Sequence, residues 1–585
     1  MAPRNLDRFA YGPHAAGGGN GRRFGELRKR IRDHENYRPE NEESGVIKDY
    51  TGRTEDGLTT PVVDRVVRYL SKLPVLRTVN AWSKQHPSVR KVPLVLIDAM
   101  APSIVKNKIK DKITKQWYRI WFGASKFRPL LYETPNRLST WQRVQQQGLI
   151  VLLSFPDLYY RSVFNRLDRA LNRLTIETRV GRHDRTGIAM MIGSLSAGGA
   201  ERQAMLTAGG VMARGLGPVS LACAYLDTPE QRFLLPRVEE SGVSVAVIGS
   251  NPMDAIDRPI EELIRALPRP LSPVRGYAAT LAVRQPRVAH FWLDDVNIKG
   301  GIAAVLTGVP RIVLSQRNIP PHHFRFHEPY MREAYRWLAK QPGVVMVNNS
   351  MAGANEYERW LGLPRGTIRI VRNGLDCAEE TLRGYREGRG RYRAELGVPP
   401  DVPLIGGVLR FSEEKRPLLW LEVAAAVRGR MPEAHFVLIG DGVLRAQVTE
   451  RAQRSDLIDA THLPGIEKDC LRAMADMDLL LLTSRAEGLP NVLVEAQAVG
   501  TPVVTPQVGG APESVRHGLT GWILTAEDPD VIAQTVVELL HDHEWRQKAR
   551  EEGPKFVRNS FSLDRVIEET IALYEVAPTS ETKSE

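Results

Sequence analysis

Two glutamates, Glu487 and Glu495, lie eight positions apart and are joined by the segment Gly-Leu-Pro-Asn-Val-Leu-Val. An aliphatic run before them, Leu479 to Leu482, predicts a buried strand. After the first glutamate, Val492 to Ala498 predicts a helix that begins just past a proline. This order of strand, turn and helix places unpaired backbone N–H groups at a helix N-terminus, where they and the helix dipole favour an anion such as a diphosphate.

The two carboxylates flank this predicted anion site. Glu487 lies at its mouth, and Glu495 lies about two helical turns further along, at ~1.5 Å per residue. One acidic group beside a phosphate site and another deeper in the wall suit a ligand with phosphates in its middle and hydroxyl groups at both ends. A nucleotide sugar has that shape.

The elements that must position this site alternate along the chain. From Gly187, short apolar strands and helices follow one another as far as Ile248, and a second series of the same kind begins after Asp401. Such alternation predicts right-handed crossovers and a parallel sheet with helices on both faces. Two doubly wound domains in tandem are therefore expected, and ligands of such sheets bind beyond the carboxyl ends of the strands.

Four motifs follow predicted strands of the first domain. Two are short polar segments, Ser315-Gln316-Arg317-Asn318 after Ile312 to Leu314 and Asn348-Asn349-Ser350 after Val344 to Val347. Gly198 and Gly199 lie in a turn that opens a helix, and glycines there allow a ligand to approach the backbone. His290 stands at the end of another predicted strand, before two carboxylates. The glycine turn is also typical of an ordinary strand-to-helix connection, and a lone histidine in such a place is more often structural than catalytic.

Strand ends of the second domain carry phosphate-binding chemistry. Arg410 and Lys415 follow the predicted strand Leu404 to Leu409. Two cations on one loop can clamp a diphosphate, the arginine through its bidentate fork and the lysine as a point charge. Gly440 lies in a Gly-Asp-Gly turn after the next strand, and Gly509 lies in another glycine turn after the last strand.

With these motifs in this order, the chain from about Gly187 to Tyr574 resembles the retaining, nucleotide-sugar-dependent glycosyltransferases of family 4. That family has the GT-B fold, in which two Rossmann-like domains face each other. The matching motifs are Gly198-Gly199-Ala200-Glu201-Arg202, Asn373-Gly374-Leu375-Asp376, the pair Arg410 and Lys415, Gly440-Asp441-Gly442, and the pair Glu487 and Glu495. The resemblance implies an α/β protein with two facing, doubly wound parallel-sheet domains and a basic N-terminal extension.

The resemblance also implies roles for the site residues. Arg410 and Lys415 hold the donor diphosphate and stabilise the leaving nucleotide, while Glu495 accepts hydrogen bonds from the ribose hydroxyls. Glu487 holds the transferred sugar and its phosphate. The other expected donor-binding positions are Gly198, Gly199, Gly440, Gly488, Leu489, Pro490 and Asn491.

His290 is expected to act in catalysis together with Glu487 and the two cations. By the resemblance it lies near the transferred sugar, although many family members carry a second histidine two residues on, where this chain has Trp292. No metal or other cofactor is expected, because fixed cations beside the phosphate stabilise the charge that develops on the leaving diphosphate. The sequence Asp476-Met477-Asp478 looks like an Asp-x-Asp metal motif, but it precedes its strand and so lies at the wrong end of the sheet.

Basic and acidic residues are distributed unevenly along the chain. Residues 1–185 hold 35 Lys and Arg against 18 Asp and Glu, whereas residues 186–585 hold 45 against 50. The first 58 residues have little apolar periodicity, which predicts disorder. We expect a disordered basic and polar tail (1–58), a basic α/β extension of unknown fold (59–185), an acceptor-side Rossmann-like domain (186–375), a nucleotide-sugar-binding Rossmann-like domain (376–560), a helix crossing back to the first domain (561–576) and a disordered tail (577–585).

Within the extension, Leu149 to Phe155 predicts a strand and Tyr159 to Leu174 a helix. Its densest basic segment, residues 106–128, interleaves eight Lys and Arg with Trp117, Tyr118, Trp121 and Phe122. Basic residues beside aromatic ones suit anchorage on an anionic membrane surface. The other interpretation is a solvated basic helix whose aromatic residues pack on the next domain, and nucleic acid is not an expected partner.

Several features indicate the compartment. No apolar run approaches the ~18 residues needed to span a bilayer, and the N-terminus lacks the apolar core of a signal peptide. The three cysteines, Cys223, Cys377 and Cys470, have no CxxC spacing, which indicates neither a zinc site nor a disulfide framework. We therefore expect a cytoplasmic protein that is peripheral on the cytoplasmic face of the membrane.

The expected function is transfer of a sugar from a nucleotide-sugar donor to a glycan acceptor, lipid-linked, in cell-envelope or exported polysaccharide biosynthesis. One alternative is a catalytically inactive, glycosyltransferase-like membrane scaffold, which the loss of Lys415 or Glu487 would have indicated. A second is a nucleotide-sugar 2-epimerase on the same fold, which would require further acidic and histidine groups around the sugar. A Rossmann dehydrogenase is disfavoured because the first glycine turn lacks the GxGxxG spacing.

Overall fold

The computed structural model describes residues 140–174, 185–375 and 378–575, with side chains from Pro156 onward. Contacts divide the chain into two units, Met1–Leu153 and Ser154–Glu585. Helix α1 spans Thr140–Leu171. Only its beginning, up to Leu153, belongs to the first unit, and these are the residues of that unit that the structure describes. The remaining described residues belong to the second unit, which contains two parallel sheets in tandem.

The strands of the first domain are β1 (Ile188–Ile192), β2 (Val219–Cys223), β3 (Ser244–Val247), β4 (Val288–Trp292), β5 (Arg311–Ser315), β6 (Val344–Asn348) and β7 (Arg369–Ile370). In the described chain they form one sheet in the order β3-β2-β1-β4-β5-β6-β7, in which all neighbours are parallel. Parallel pairing requires crossover connections, which helices supply here. The helices are α2 (Gly199–Ala213), α3 (Leu235–Glu240), α4 (Arg258–Arg265), α5 (Val274–Arg284), α6 (Asp294–Leu306), α7 (Met331–Leu338) and α8 (Met351–Leu361).

The strands of the second domain are β8 (Leu404–Val408), β9 (His435–Ile439), β10 (Thr461–Gly465), β11 (Leu479–Leu481), β12 (Val503–Pro506) and β13 (Gly521–Leu524). Their order is β10-β9-β8-β11-β12-β13, and all pairs are parallel. The helices are α9 (Glu379–Glu387), α10 (Arg391–Glu395), α11 (Pro417–Arg430), α12 (Arg445–Ala452), α13 (Cys470–Ala475), α14 (Asn491–Ala498), α15 (Pro529–His541), α16 (His543–Ser560) and α17 (Leu563–Tyr574). The predicted tandem of doubly wound parallel-sheet domains is confirmed.

Strand β1 illustrates why both faces of the first sheet are covered. All five of its residues are apolar and buried, as is typical of a parallel strand between two layers of helices. Because successive side chains point to opposite faces, Ala189 and Met191 pack in a core with α5 and α6. Ile188, Met190 and Ile192 pack in a second core, with α2 and α17.

Helix α17 follows the second domain but packs on the first. Its residues Val566, Ile567 and Tyr574 are buried in the core beside α2. The approach is close, since a Cβ atom added at Gly210 of α2 would lie 2.5 Å from Cδ1 of Ile567. Arg311 of β5 also donates from Nε to the carbonyl of Leu573 at 2.6 Å. The chain therefore returns to its first domain through a helix with an apolar face.

Helix α1 differs from the expectation for its region. Residues Leu149 to Phe155, predicted as a strand, are helical and continuous with the predicted helix after them. A short apolar run does not by itself distinguish a strand from a buried helix, which is why the prediction was wrong. The described end of α1 packs into the first domain, where Phe164 stacks on Trp337 with ring centroids 5.6 Å apart. In the described part of the chain, no helix combines the length and apolarity that a membrane crossing needs.

Candidate active site

The carboxyl ends of β5 and β6 meet those of β11 and β12 where the two domains adjoin. A Cβ atom added at Gly488, after β11, would lie 2.5 Å from the carbonyl oxygen of Arg317, after β5. One added at Gly510, after β12, would lie 2.4 Å from Cβ of Ser350, after β6. Neither position has room for a side chain. The domains are therefore in contact along the edge where doubly wound sheets bind ligands.

The basic loop after β8 brings Lys415 to the first glutamate of the pair. Lys415 Nζ lies 2.5 Å from Oε1 of Glu487, and the side chains are 26% and 7% exposed, respectively. Thr483, just after β11, donates from Oγ1 to the carbonyl of Lys415 at 3.2 Å, which ties the loop to the next strand end. The carboxylate is thus enclosed by protein, while the cation remains open to the cleft.

Arg410 begins the same loop and is exposed. The positive charge of its guanidinium interacts electrostatically with the carboxylate of Glu201, which lies on helix α2 of the first domain. Burial raises the pKa of Glu201, and a hydrogen bond to its own backbone and the positive charge of Arg410 partly oppose that rise. Gly440 packs closely against the backbone at the start of this loop. Its φ is +137°, and a Cβ atom there would lie 1.9 Å from the carbonyl oxygen of Leu409. That backbone geometry favours glycine.

The second glutamate, Glu495, lies within α14 and is 4% exposed. Its carboxylate forms an ion pair with the guanidinium of Arg202, the fourth residue of α2. Burial lowers the pKa of Arg202. The acid that was expected to meet a ribose is therefore held by a cation of the opposite domain.

The N-termini of α2 and α14 meet at the cleft. Asn491, the first residue of α14, donates from Nδ2 to the carbonyl of Gly199 at 3.3 Å. A Cβ atom at Gly199 would lie 2.9 Å from that nitrogen, and one at Gly198 would lie 2.0 Å from Oε2 of Glu201. Pro490 caps α14 in an extended conformation. Two helix N-termini, each favouring an anion, thus flank the space between the domains.

Asn373, in the crossover between the domains, organises the glutamate loop. Its Nδ2 donates to the carbonyl of Leu489 at 2.8 Å and to Oδ1 of Asn491 at 2.6 Å. Its Oδ1 accepts from Arg317 at 2.6 Å and from Asn349 at 3.3 Å. One amide therefore connects the start of α14 to the ends of β5 and β6.

Arg317 is an enclosed cation beside this network. It is 7% exposed, has a φ of +63°, and its guanidinium lies 4.8 Å from the ring centre of Trp292. It donates to the carbonyl of Val371 at 3.1 Å, and among the described residues no carboxylate pairs with it. Burial lowers its pKa to about 9. Its neighbours hold it through carbonyl, amide and ring contacts.

His290 lies in the middle of β4 rather than at its end. Its Nδ1 is 2.8 Å from the hydroxyl of Tyr574, and its Nε2 is 2.8 Å from Oγ of Ser315. Burial, with a smaller contribution from the nearby charge of Arg317, lowers the pKa of His290 to about 3. The imidazole is therefore neutral, and both nitrogens are engaged inside the sheet and with helix α17.

Glu513 and Glu413 add two further contacts between the domains. Glu513, in the 3₁₀ turn after β12, accepts hydrogen bonds from the backbone N–H groups of Met351 and Ala352 at 2.9 and 2.8 Å. These donors are the unpaired N–H groups at the start of α8, where a carboxylate is favoured. Glu413, on the basic loop, pairs with Arg325 at 2.6 Å. The described conformation is accordingly a closed one.

A family model described as Glycosyl transferases group 1 matches residues 388–556, which contain Lys415, Glu487 and Glu495. The Vi polysaccharide biosynthesis protein VipC/TviE of Salmonella typhi is 31% identical over 500 residues, which cover 79% of this chain and 82% of that protein. The chain belongs to the group 1 glycosyltransferases. The predicted membership of family 4 and the expected hexosyltransferase class of enzyme are confirmed.

Other similar proteins include a further glycosyltransferase relative and solved structures with the same fold. A D-inositol 3-phosphate glycosyltransferase of Corynebacterium urealyticum is 28% identical over 308 residues, covering 50% of this chain and 71% of that protein. The structure of HepE of Anabaena in complex with UDP has a TM-score of 0.54 at 20% identity and covers 66% of this chain and 98% of that one. A glycosyltransferase from Rickettsia africae has a TM-score of 0.54 at 16% identity, covering 67% and 98%. The predicted GT-B fold is thereby confirmed.

In this glycosyltransferase, the two aspartates of the Asp-x-Asp sequence form hydrogen bonds and ion pairs with other residues of the chain. Asp476 accepts from the backbone N–H groups of Gly390 and Arg393 at 2.7 and 2.8 Å. Asp478 pairs with Arg393 at 2.7 Å and with Arg550 at 2.9 Å. Both carboxylates lie before β11, at the amino end of the sheet, and join α10 and α16 to it.

The structure thus brings together most of the predicted site of this glycosyltransferase. The clustered positions are Gly199, Lys415, Glu487, Gly488, Leu489, Asn491 and Glu495, whereas His290 lies enclosed in the sheet. Sequence reasoning missed Arg202, Asn373 and Arg317 as parts of the site. The first two stood in quoted motifs without a role. Arg317 lies in a polar segment at the end of a predicted strand, but the sequence did not indicate its contacts with distant residues.

Proposed function

We propose that this protein is a retaining glycosyltransferase that takes a sugar from a nucleotide-sugar donor and transfers it to a glycan acceptor. The observation that carries the proposal is the contact of Lys415 with Glu487, 2.5 Å apart at neighbouring strand ends. A cation open to the cleft, an enclosed carboxylate and the N-terminus of α14 together match a ligand that combines a diphosphate with sugar hydroxyls. Groups suited to both parts of such a ligand therefore lie close together, which supports the proposal.

Charge development in the reaction supports the roles that we assign. Cleavage of a sugar–phosphate bond leaves negative charge on the departing nucleoside diphosphate, and cations already in position stabilise it without reorganisation. We assign this task to Lys415 and Arg410, assisted by the N–H groups at the start of α14. Glu487 would then accept hydroxyl hydrogen bonds from the transferred sugar. Because these fixed cations face the leaving group, no metal ion is required in the proposal.

Donor binding must change the closed conformation. Glu495, the proposed acceptor for the ribose hydroxyls, is paired with Arg202, so the nucleoside has to displace that cation. Glu513 and α8 hold the domains together at a second point. We therefore propose that the domains separate to admit the donor and close again around it, with Gly198 and Gly199 approaching its phosphates.

For His290 we propose a positioning role. Both ring nitrogens bond to Ser315 and Tyr574, which leaves neither for a substrate in this conformation. The ring links β4, β5 and α17, and α17 returns from the second domain. His290 would then influence transfer through the placement of that helix rather than by contact with the sugar.

The acceptor and the cellular setting rest on similarity and on charge. A relative that shares most of this chain's length is named for Vi polysaccharide biosynthesis, which supports a glycan acceptor in polysaccharide synthesis. We propose that this acceptor is lipid-linked and that the polysaccharide belongs to the cell envelope or is exported. The basic segment 106–128, outside the described residues, is the proposed contact with an anionic membrane surface on the cytoplasmic face. Changing Lys106, Lys108, Lys110 and Lys112 to Glu should reduce sedimentation with phosphatidylglycerol vesicles, and unchanged sedimentation would contradict this contact.

A ligand screen with a product analysis tests the proposal. A ligand that binds only the folded state raises the melting temperature, so UDP, GDP, ADP and their common sugars are compared, each with and without EDTA. We expect one nucleotide class to raise it irrespective of EDTA, and Glu495→Gln to remove the effect. NMR of the transferred sugar should show the anomeric configuration of the donor. An inverted product contradicts retention, and no shift with any nucleotide favours the inactive scaffold.

A further inference from the structure

A cluster of metal-ligating side chains lies outside the proposed active site, on the first domain. His322 and His323 belong to a 3₁₀ turn, Pro321–His323, that follows β5, and Glu356 lies on α8. Each residue offers one ligand atom, and the three atoms lie within 4.8 Å of one another. Two histidines and a carboxylate from separate elements therefore converge on one point.

Local structure orients these side chains. Pro320 and Pro321 restrict the backbone that enters the turn. Glu356 and Trp360 are four residues apart and so share one face of α8. The ring of His322 lies against Trp360 with centroids 5.6 Å apart, and Nε2 of His323 contacts Oε1 of Glu356. The ligand atoms thus face one another because of the proline turn and the helix face.

The types of the three ligand atoms indicate which class of metal ion they suit. Two imidazole nitrogens and one carboxylate oxygen suit Zn²⁺ and its neighbours in the first transition series, whereas Mg²⁺ and Ca²⁺ prefer oxygen ligands alone. Tetrahedral zinc with ligand distances of about 2.0–2.1 Å places its ligand atoms roughly 3.3 Å apart. The three ligand atoms here lie within 4.8 Å of one another, so metal binding requires the side chains to rotate towards that separation. Three protein ligands leave a fourth position for water.

We propose that His322, His323 and Glu356 form a binding site for a divalent transition-metal ion of the Zn²⁺ class. The site ties the segment after β5 to helix α8. Both elements also meet the second domain, the first through Arg325 and Glu413 and the second through Met351 and Glu513. A bound ion therefore stiffens the part of the first domain that contacts the second domain, apart from the proposed donor contacts.

The competing explanation is an ordinary surface hydrogen bond between His323 and Glu356. Metal titration separates the two. The full chain without a histidine tag is stripped of metal and titrated with ZnCl₂ in a calorimeter, and then with CoCl₂ while the visible spectrum is recorded. We expect one Zn²⁺ per chain at this site and a Co²⁺ spectrum of a four- or five-coordinate ion with nitrogen ligands.

Variants then assign the site. His323→Ala and Glu356→Gln should each weaken Zn²⁺ binding at least tenfold and reduce the Co²⁺ absorption. His435→Ala is the matched control, because His435 and His462 form the other close histidine pair that the structure describes, with ring nitrogens 3.3 Å apart. That change should leave binding at the proposed site intact. The melting temperature of each metal-free variant checks that it is folded.

Three results would overturn the proposal. They are absence of Zn²⁺ binding by the wild-type chain, equal affinity in folded His323→Ala and Glu356→Gln proteins, and a loss of affinity in His435→Ala instead. None of these readouts depends on glycosyl transfer, so the inference stands or fails separately from the proposed function.

Discussion

Arg202 of α2 and Glu495 of α14 form an ion pair that joins the first domain to the second. The carboxylate is 6% exposed and the guanidinium side chain 35%, so this contact is neither a surface pair nor a fully enclosed one. In the proposed reaction the same carboxylate receives the ribose of the donor. The closed ligand-free conformation and the donor-bound one therefore compete for a single side chain.

Replacing Arg202 by Ala should tighten binding of the donor nucleotide. The nucleotide would no longer have to displace a cation from Glu495, and a conformational equilibrium that hides a binding residue reduces apparent affinity by the fraction hidden. We expect a three- to tenfold lower dissociation constant, corresponding to about 1 kcal/mol. Calorimetric titration with the nucleotide identified by the thermal screen measures it.

Arg214→Ala is the control for the Arg202 variant. Arg214 caps the same helix and pairs with Asp564 at 2.9 Å on the surface, so its loss also removes a positive charge and a contact with α17. Nucleotide affinity should not change in this variant. Weaker binding by Arg202→Ala would instead mean that Arg202 contacts the donor, and the competition would have to be abandoned.

Substitutions that remove the charges of Lys415 and Glu487 should lower activity strongly while the protein still folds. We expect Lys415→Met and Glu487→Gln each to lower kcat about 100- to 1,000-fold, in the range found when one group stabilising a transition state is lost. Lys415→Met leaves an enclosed carboxylate without its cation, which costs about 3 kcal/mol of stability, the low end of the range for buried pairs because the lysine is partly exposed. Initial rates and melting temperatures are measured on the same samples.

The double variant Lys415→Met, Glu487→Gln distinguishes the two effects. It removes both charges, so its melting temperature should recover above that of Lys415→Met while its activity stays low. Lys468→Met, at an exposed lysine of the same domain, should behave as wild type. Recovery of activity together with stability would show that the pair only supports the fold.

Much of the fold and part of the site follow from local sequence patterns. The buried run of β11, the glycine turn and the start of α14 are contiguous, so their order and the position of Glu487 could be predicted without knowledge of distant contacts. The same holds for Lys415 on the loop after β8. Each of these predictions needs only a strand, a turn and the direction of a parallel sheet.

The remaining features depend on residues far apart in the chain. Arg202 and Glu495 pair across 293 positions, and the partner of His290 at Nδ1 is Tyr574, which α17 brings back from the other domain. No spacing in the sequence predicts such contacts. The strand predicted over Leu149 to Phe155 was wrong for a different reason, since five successive apolar residues are compatible with either element.

Alanine at Gly488 should abolish transfer without unfolding either domain. Its Cβ would lie 2.5 Å from the carbonyl oxygen of Arg317, so the domains could not close as described. We expect at least a 100-fold loss of kcat/KM, because misplacement by about 1 Å is enough for such a loss. Far-ultraviolet circular dichroism and steady-state kinetics are measured together.

Gly429→Ala is the matched control for this steric argument. Gly429 lies in α11 with no atom within 4 Å of an added Cβ. Alanine there should preserve activity and stabilise the helix by roughly 0.5–1 kcal/mol. A Gly488→Ala enzyme with normal kinetics would show that catalysis does not require the described contact between the domains.

Buried His290 should make the protein less stable as the solution becomes acidic. Its pKa is about 3 in the folded protein, against an ordinary value of about 6.5. Above that ordinary value neither state is protonated, and below it the unfolded chain takes up a proton that the folded chain refuses. Stability therefore falls between about pH 6.5 and 3, by up to about 1.4 kcal/mol per pH unit.

His290→Gln keeps hydrogen-bonding groups for Ser315 and Tyr574 but removes this titration, so its urea midpoint should fall less than that of wild type between pH 6.5 and 4.5. Asp294 should affect stability in the opposite direction as the pH falls. Burial raises its pKa to about 6, so its contribution is lost as pH rises through that value, and Asp294→Asn should steepen the acid decline. If His290→Gln declines as steeply as wild type, the imidazole is not held neutral by burial, and its enclosed placement against β5 and α17 is incorrect.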